Sequence, residues 1–269
     1  MTKIGLIAGY GKFPILFAKN AIKNNVKIYT IAIKEEAFPE IEEYSYKTKW
    51  LNIGELKKAI LFLKLRGVKN LVMAGKVHKK QALFSNKQKD KEIEDVLSSV
   101  KDKKDDSLLK GIVDKVEKLG FKFLDSTTFL QEYMAEAGCI TKRKPTDIEE
   151  KDLKFGFELA KSVSGLDIGQ SVIVKDTVIL AIEAIEGTDE AIKRGAKIGG
   201  EGAVVVKVSK PNQDMRFDVP VIGEDTIDTL ISNKIAVLGI EADKTLFLDK
   251  QAVIEKADNA GISIVGMKN

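Results

Sequence analysis

The chain has 269 residues, 44% of them hydrophobic and 31% charged, with a formal net charge of +4; this is the composition of an ordinary soluble protein, long enough for one large domain or two small ones with their own cores. No apolar run approaches the length that crosses a bilayer, and the opening MTKIGLIAGYGKFP is too short and glycine-rich for a secretory leader, so it reads as a first strand and turn. A single cysteine, Cys139, excludes an internal disulfide framework and a multi-cysteine metal cage, and these features together point to the cytoplasm.

The first half alternates strand and helix signals. KIGLIAG (3–9) is an apolar run ending in glycine, followed by a helical pattern from Phe13 to Lys23. VKIYTIAI (26–33) is β-rich, KTKWLNI (47–53) supplies a third strand, and Glu55 to Leu65 is amphipathic at helical spacing. VKNLVMAG (68–75) is another buried strand with a glycine exit. The clusters KQKDKEIED and KDKKDD mix signs, which suits a solvated helix face or loop rather than the basic, aromatic-interleaved stripe of a nucleic-acid site. DDSLLKGIVDKVEKLG (105–120) carries an acidic helix start and a glycine stop, and FKFLD (121–125) closes the series. Strands separated by helices of 10–15 residues predict a mostly parallel, Rossmann-like sheet covered on both faces.

At AGCITKRKP (137–145) the pattern breaks into glycine, basic residues and proline, which reads as a linker. A long helix is expected from Thr146 to Ser164. QSVIVKDTVILAI then gives two β-rich runs with Lys-Asp between them, a hairpin signal. A helix (188–197), a strand (203–209), a helix (224–232), a strand (235–240), a short apolar run (245–248), a helix (249–259) and a last strand (262–266) complete a second α/β domain with some antiparallel pairing. The expected organisation is α/β in two domains: residues 1–136 Rossmann-like, 137–146 a linker, and 147–269 a mixed α/β sheet domain.

Several stretches suit chemistry. In AGYGKFP, Gly9 and Gly11 follow a strand and precede a helix, where backbone N–H groups and the helix dipole favour a phosphate. Pro14 stands where a dinucleotide fingerprint has its third glycine, although Glu35 and Glu36 follow the second strand as a ribose-binding acid would. A nicotinamide site, another phosphate-bearing ligand and a tight turn without ligand all remain open readings of this loop. Gly75 and Lys76 form a second strand exit and would share the crevice at the carboxyl ends of the strands. His78 is the one histidine, so triad catalysis has no support, and an ordinary loop histidine is the plain reading. Glu183 and Glu186 lie near a strand exit, with Gly187, Thr188 and Asp189 starting a helix. They suit a magnesium ion that itself holds phosphates, or a salt-bridged strand end with a capped helix.

The richest stretch is SKPNQDMRFDVPVIG (209–223), which holds two of the five prolines and Arg216 in a chain that otherwise favours lysine. Lys210 and Arg216 offer cations for developing charge, the latter as a bidentate fork. Asp218, between Phe217 and the Val219-Pro220 turn, offers a carboxylate for a metal ion, and Gly223 allows close backbone approach.

The runs IGLIAGYGKFP, AGKV, LDIGQSVIV, AIEAIEGTD and KPNQDMRFDVPVIG, in this order along the whole chain, resemble the successive motifs of the LpxI family. These are the UDP-2,3-diacylglucosamine pyrophosphatases of lipid A biosynthesis. The resemblance implies two α/β domains with the ligand held between them, and magnesium- or other divalent-metal-dependent hydrolysis of the lipid-linked UDP-sugar to UMP and 2,3-diacylglucosamine 1-phosphate (lipid X). Water attack on the phosphorus attached to the sugar and transient contact with the inner face of the cytoplasmic membrane are implied with it. Asp218 falls on the family's catalytic aspartate. Glu183 and Glu186 stand as further metal candidates. Substrate-lining roles fall to Gly9, Gly11, Gly75, Lys76, Asp167, Gln170, Gly187, Thr188, Asp189, Lys210, Gln213, Arg216 and Gly223. At one point the chain departs from the family pattern: after AG-x-V, where members often carry serine or a similar residue, then arginine and proline, it reads His78-Lys79-Lys80. A non-catalytic carrier of the same ligand and, from the first glycine loop, a nicotinamide-dependent oxidoreductase are the alternatives. No nucleic-acid partner is expected, and no oligomeric state is fixed.

Overall fold

The computed structural model describes residues 1–78, 89–99 and 105–268. Lys79, Lys80 and most of the KDKKDD cluster lie outside the described residues. The chain divides into two compact units, one made of Met1–Gln131 with Asp214–Asp218, the other of Glu132–Gln213 with Val219–Asn269. The short segment 214–218, far along the chain, therefore belongs to the first unit.

Among its described residues the first unit holds five strands, β1 (Lys3–Ala8), β2 (Lys27–Ile33), β3 (Lys47–Leu51), β4 (Asn70–Ala74) and β5 (Lys122–Phe123). They are parallel throughout, in the order β3-β2-β1-β4-β5. Ile4, Leu6, Ile28, Ile31, Leu71 and Val72 are buried, as expected of strands covered on both faces. The helices are Phe13–Lys23, Leu56–Lys64, Lys91–Ser99 and Asp105–Lys118. Pro14 sits in the first turn of the first of these, where its missing N–H costs no hydrogen bond.

The strand order reverses between β1 and β4, the place where open parallel sheets hold ligands. Here the backbone closes it. Gly9 N–H donates to Ala74 O at 2.9 Å, Tyr10 N–H to Lys76 O at 2.6 Å, and Lys76 N–H to Tyr10 O at 3.0 Å. A Cβ on Gly9 would meet Lys76 O at 2.5 Å, and one on Gly75 (φ +88°) would meet Tyr10 O at 2.7 Å. The two glycines thus let the exits of β1 and β4 pair with each other, and the N–H groups of Gly9 and Tyr10 serve that pairing.

The second unit holds β6 (Gly138–Cys139), β7 (Ser171–Lys175), β8 (Val178–Ile182), β9 (Val204–Lys207), β10 (Val221–Ile222), β11 (Val237–Glu241), β12 (Leu246–Phe247) and β13 (Ser263–Met267). Six form a mixed sheet in the order β6-β13-β11-β9-β7-β8, and β10 pairs with β12 separately. The pairs β9–β11 and β11–β13 are parallel; β6, β7 and β8 join antiparallel. Its helices are Asp147–Gly165, Thr188–Gly199, Glu224–Ser232 and Lys250–Asn259. The first begins at a capping box in which Thr146 and Glu149 satisfy each other's backbone N–H groups.

Two details differ from the sequence reading. Residues 137–146, read as a linker, are built into the second unit. Ile140 N–H donates to Ile264 O at 2.8 Å, and Arg143 reaches Ser263 Oγ and Glu149 Oε1, each at 2.7 Å. The β7–β8 turn falls on Asp176-Thr177, one residue later than expected, both with positive φ (52° and 60°). The buried carboxylate of Asp152 accepts both their N–H groups, at 2.9 and 2.6 Å, and this offsets the left-handed conformation that threonine disfavours.

The bridge at the β1 and β4 exits is a packing constraint that a single methyl group tests. Gly9→Ala should lower stability by about 1–3 kcal/mol, because only backbone atoms are there to move. Gly223→Ala should stay within about 0.5 kcal/mol, since its Cβ would meet nothing nearer than Leu248 Cβ at 3.9 Å. Thermal unfolding of both variants decides; a Gly9→Ala melt like that of the wild type would remove the bridge as a constraint.

Candidate active site

The stretch 209–218 is two consecutive turns, each closed by its own side chains. In the first, Lys210 N–H donates to Gln213 Oε1 at 2.6 Å, and Gln213 N–H returns to Lys210 O at 3.1 Å. In the second, Asp214 Oδ1 accepts Arg216 N–H at 3.1 Å, while Asp214 O accepts the N–H groups of Phe217 and Asp218 at 3.1 and 2.9 Å. This is one capped helical turn, and it fixes the backbone of Asp218. The Arg216 fork, expected to face a phosphate, closes on Asp214 instead, with Nε–Oδ1 at 2.9 Å and Nη2–Oδ2 at 2.7 Å. Glu117 adds a longer contact at 3.4 Å. The fork holds the Asp214 carboxyl below its ordinary pKa, and the same hydrogen bond raises that of Arg216.

Each end of this stretch is tied to its own unit by a buried polar group. Ser209 is held by Glu241, at the end of β11: Ser209 N–H and Oγ–H donate to Oε2 at 2.9 and 2.7 Å. Lys161 Nζ completes the cluster, reaching Glu241 Oε2 at 3.0 Å and Ser209 O at 3.1 Å. Burial pushes the Glu241 pKa up, but the Ser209 hydrogen bonds and the Lys161 ammonium outweigh it, and the net shift is downward. At the other end Ser126, buried at 1% exposure, lies within reach of two carbonyls, Met73 O at 2.5 Å and Arg216 O at 2.7 Å. Its N–H donates to Met215 O at 2.9 Å. The Asp125 carboxylate sets the turn around Ser126 by accepting Thr127 N–H at 2.8 Å.

In the second unit Glu183 is buried; it accepts Thr188 Oγ1 at 3.0 Å and Gln170 N–H at 3.3 Å. Gly169 packs so closely on Glu183 O that a Cβ would lie 2.0 Å from it. Glu186 is withdrawn from the acidic set: its carboxylate pairs with Arg194 at 2.6 Å, a bond that lowers its pKa. Lys210 Nζ pairs with Asp167 at 2.8 Å. Gly187 (φ +87°) is the N-cap of the helix Thr188–Gly199, and Asp189 is exposed in its first turn. Gly223 is extended and uncrowded ahead of the helix Glu224–Ser232.

No group of three or more His, Cys, Asp or Glu that suits a metal ion is present among the described residues. The donor chemistry still fits a hard cation, which needs only one or two protein carboxylates. In the second unit Glu183 is a buried carboxylate and Gln170 Oε1 a buried oxygen without a hydrogen-bond partner; in the first unit, taken by itself, Asp218 is a half-buried carboxylate.

The first unit also contains an apolar cavity of about 200 Å³, lined by Ile7, Ile31, Ile53, Met73 and Ile112 among others, with Gly9, Gly75 and Phe217 in its wall. Gly9 and Gly75 therefore line a space, but an apolar one. Gly11, with φ +98° and no atom within 4 Å of its would-be Cβ, forms the open turn beyond.

Family models of the LpxI N-terminal and C-terminal domains match residues 3–133 and 136–265. The chain belongs to the LpxI family. It is 30% identical to the UDP-2,3-diacylglucosamine pyrophosphatase LpxI of Caulobacter vibrioides over 277 aligned residues, 99% of this chain and 98% of that one. Among solved structures, CobK precorrin-6A reductase aligns over 100% of this chain and 88% of its own at a TM-score of 0.31 and 10% identity. The biotin carboxylase domain of the Hydrogenobacter thermophilus 2-oxoglutarate carboxylase aligns over 66% of this chain and 36% of its own, at a TM-score of 0.30 and 10% identity. Scores this low carry no argument.

In this LpxI chain the sequence reading reached Lys210, Gln213, Arg216 and Asp218, which the structure places in adjoining turns. It missed Ser126, Lys161 and Glu241, whose contacts span 90, 48 and 32 positions. Asp214 carried a readable signal, an aspartate two residues before an arginine that it both caps and pairs with.

The Glu241 cluster predicts a pH response of definite sign. Its folded pKa lies below the ordinary 4.5, so its stabilisation is present above that value and lost as pH falls through the folded one. Glu241→Gln should cost about 1–3 kcal/mol at neutral pH and flatten the acid limb of a plot of Tm against pH. A variant with an unchanged acid limb would show that the cluster does not hold the loop.

Proposed function

We propose that this LpxI chain hydrolyses the pyrophosphate bond of UDP-2,3-diacylglucosamine, releasing UMP and 2,3-diacylglucosamine 1-phosphate, with a divalent metal such as magnesium assisting. The observation that carries the proposal is the full-length match to a relative bearing that activity in its name. The capped turn that fixes Asp218 and the apolar cavity beside it in the first unit support it. At about 200 Å³ the cavity is below the roughly 300–1,000 Å³ of a pocket for a whole ligand. It suits a hydrocarbon segment of an acyl chain, and Phe217, next to Asp218, forms part of its wall.

Cleaving a pyrophosphate expels a phosphate monoester, a good leaving group, so the work lies in aligning water and offsetting charge. Asp218 is the carboxylate for that work, directing water or holding the metal. A bound divalent ion would supply charge stabilisation on the phosphoryl oxygens and lower the pKa of a bound water; Asp218 in the first unit, or Glu183 with Gln170 Oε1 in the second, would be the oxygens to hold it. Gly9 and Tyr10 N–H groups serve the bridge to β4, which disfavours the dinucleotide reading of the first loop. A diacylated substrate resides in a membrane, so transient contact with the inner face of the cytoplasmic membrane belongs to the same proposal. No helix among the described residues is long and apolar enough to cross one.

The test is UMP release from UDP-2,3-diacylglucosamine by wild type and Asp218→Ala, each with magnesium and with excess chelator. Metal-dependent release, reduced about 10²–10⁴-fold in the folded variant, is expected. A folded wild type that binds the lipid nucleotide without releasing UMP would make the protein a carrier. Normal turnover by Asp218→Ala would remove that residue from the chemistry.

A further inference from the structure

The first unit contains a polar pair, Glu36 and His78, outside the candidate active site described above. Glu36, in the turn after β2, is 2% exposed. Its Oε1 accepts the backbone N–H of His78 at 3.0 Å, and its Oε2 lies 2.7 Å from His78 Nδ1. The ring of Tyr10 meets the imidazole edge-on at 5.2 Å and the ring of Phe38 at 5.3 Å.

A carboxylate taken out of water is costly unless its oxygens are hydrogen-bonded, and here one residue serves both oxygens. The carboxylate accepts, so Nδ1 carries the proton; the tautomer follows from that partner. Nε2 is then left on the far side of a ring whose side chain is 61% exposed. This is how a ligand-facing imidazole is oriented: a buried acid fixes one nitrogen and the other is presented. A histidine serving only to pack the loop would not need a buried acid to set its tautomer.

The location gives the pair a use. Val77 and Gly75 line the apolar cavity, and His78 is the next residue. Lys76, its backbone fixed by Tyr10, is exposed. The strand exit thus presents an apolar wall followed by a cation and an imidazole. We propose that His78, oriented by Glu36 and assisted by Lys76, is a phosphoryl-binding residue at the rim of the apolar cavity. As an imidazolium, with Nδ1–H held by the Glu36 carboxylate, His78 donates from Nε2 to a phosphoryl oxygen while the ligand's hydrocarbon enters the cavity. This deepens the proposed function and rests on its reading of the ligand as an acylated phosphate ester.

The chain has one histidine, so its imidazole NMR signals need no assignment by mutation. Decyl phosphate, inorganic phosphate and decanol are titrated into the full-length protein at constant pH. Saturable shifts of the His78 signals by decyl phosphate, at least tenfold tighter than by inorganic phosphate, are expected, with little response to decanol. Equal affinity for the two phosphates would reduce the site to a free-phosphate site and overturn the link to the cavity. Unmoved His78 signals with all three would overturn the rim site itself. In kinetics, His78→Gln should raise KM for UDP-2,3-diacylglucosamine about fivefold or more with kcat within twofold. Glu36→Gln, which keeps the shape, should move KM the same way. Unchanged KM in a folded His78→Gln that still hydrolyses the substrate would sink this inference and leave the function standing. Shifts by decyl phosphate in a wild type without turnover would do the reverse.

Discussion

The hydroxyl of Ser126 is the interaction on which the candidate site depends. It joins the end of a sheet strand, through Met73 O, to a turn 90 positions further along the chain, through Arg216 O. A hydroxyl carries one proton and donates to only one carbonyl at a time, so its second neighbour is held by the Ser126 N–H bond to the adjoining Met215 O. The segment 214–218 is also held by the Arg216 contact to Glu117 at 3.4 Å and by Phe217 against the first-unit core. It forms no strand or helix, and its large apolar side chains are Met215 and Phe217. Directional polar bonds are the available way to give so short a segment a single conformation, and leaving a buried partner unsatisfied costs about 1–3 kcal/mol.

The second anchor obeys the same logic with a charge. Burial works against the Glu241 carboxylate, yet Ser209 and Lys161 leave its ionised form favoured on balance. Between the anchors, the bonds of Lys210 with Gln213 and of Asp214 with Arg216 remove the freedom that ten residues of loop would otherwise keep. Pro211 and Pro220 act in the same direction by fixing φ. Asp218 follows the last of these bonds. In the role proposed for it, aligning water or holding a metal, that carboxylate gains from such order, because orientation fixed beforehand is not lost at the moment of reaction.

What the sequence made legible follows from the range of the forces involved. The helix Phe13–Lys23 and the helix Glu224–Ser232 have the predicted bounds, since helical periodicity, Pro14 and the acidic first turn are local signals. The β7–β8 turn was displaced by one residue because the buried Asp152, 24 positions away, supplies the acceptors that let Thr177 adopt a left-handed conformation. The stretch 137–146 looked like a linker for the same reason: what builds it in is Ile264 and Ser263, more than a hundred positions on. In the site, Asp218 and its neighbours were visible because one continuous motif carries them. Their supports at Ser126 and Glu241 were not, since a lone serine or glutamate carries no local mark of a distant partner.

The glycines show how one sequence signal can serve different physics. Glycines after β1 and β4 read as places where backbone approaches a phosphate, and close approach is indeed why they are needed. The atoms that approach Gly9 and Gly75, however, are backbone of the opposite strand exit, Lys76 O at 2.5 Å and Tyr10 O at 2.7 Å from an added Cβ. Sealing the switch point this way withdraws the N–H groups that a dinucleotide would use and leaves an apolar hollow behind the bridge. Under the proposed function, a sheet end that is apolar in its depth and polar at its rim suits an amphiphile rather than a nucleotide alone. The Arg216 fork fits that division, because its bond to Asp214 turns a potential phosphate ligand into a brace. Among the described residues of the first unit, Lys76 and His78 follow the sealed exit of β4 and are the polar groups that the proposed function puts to use there.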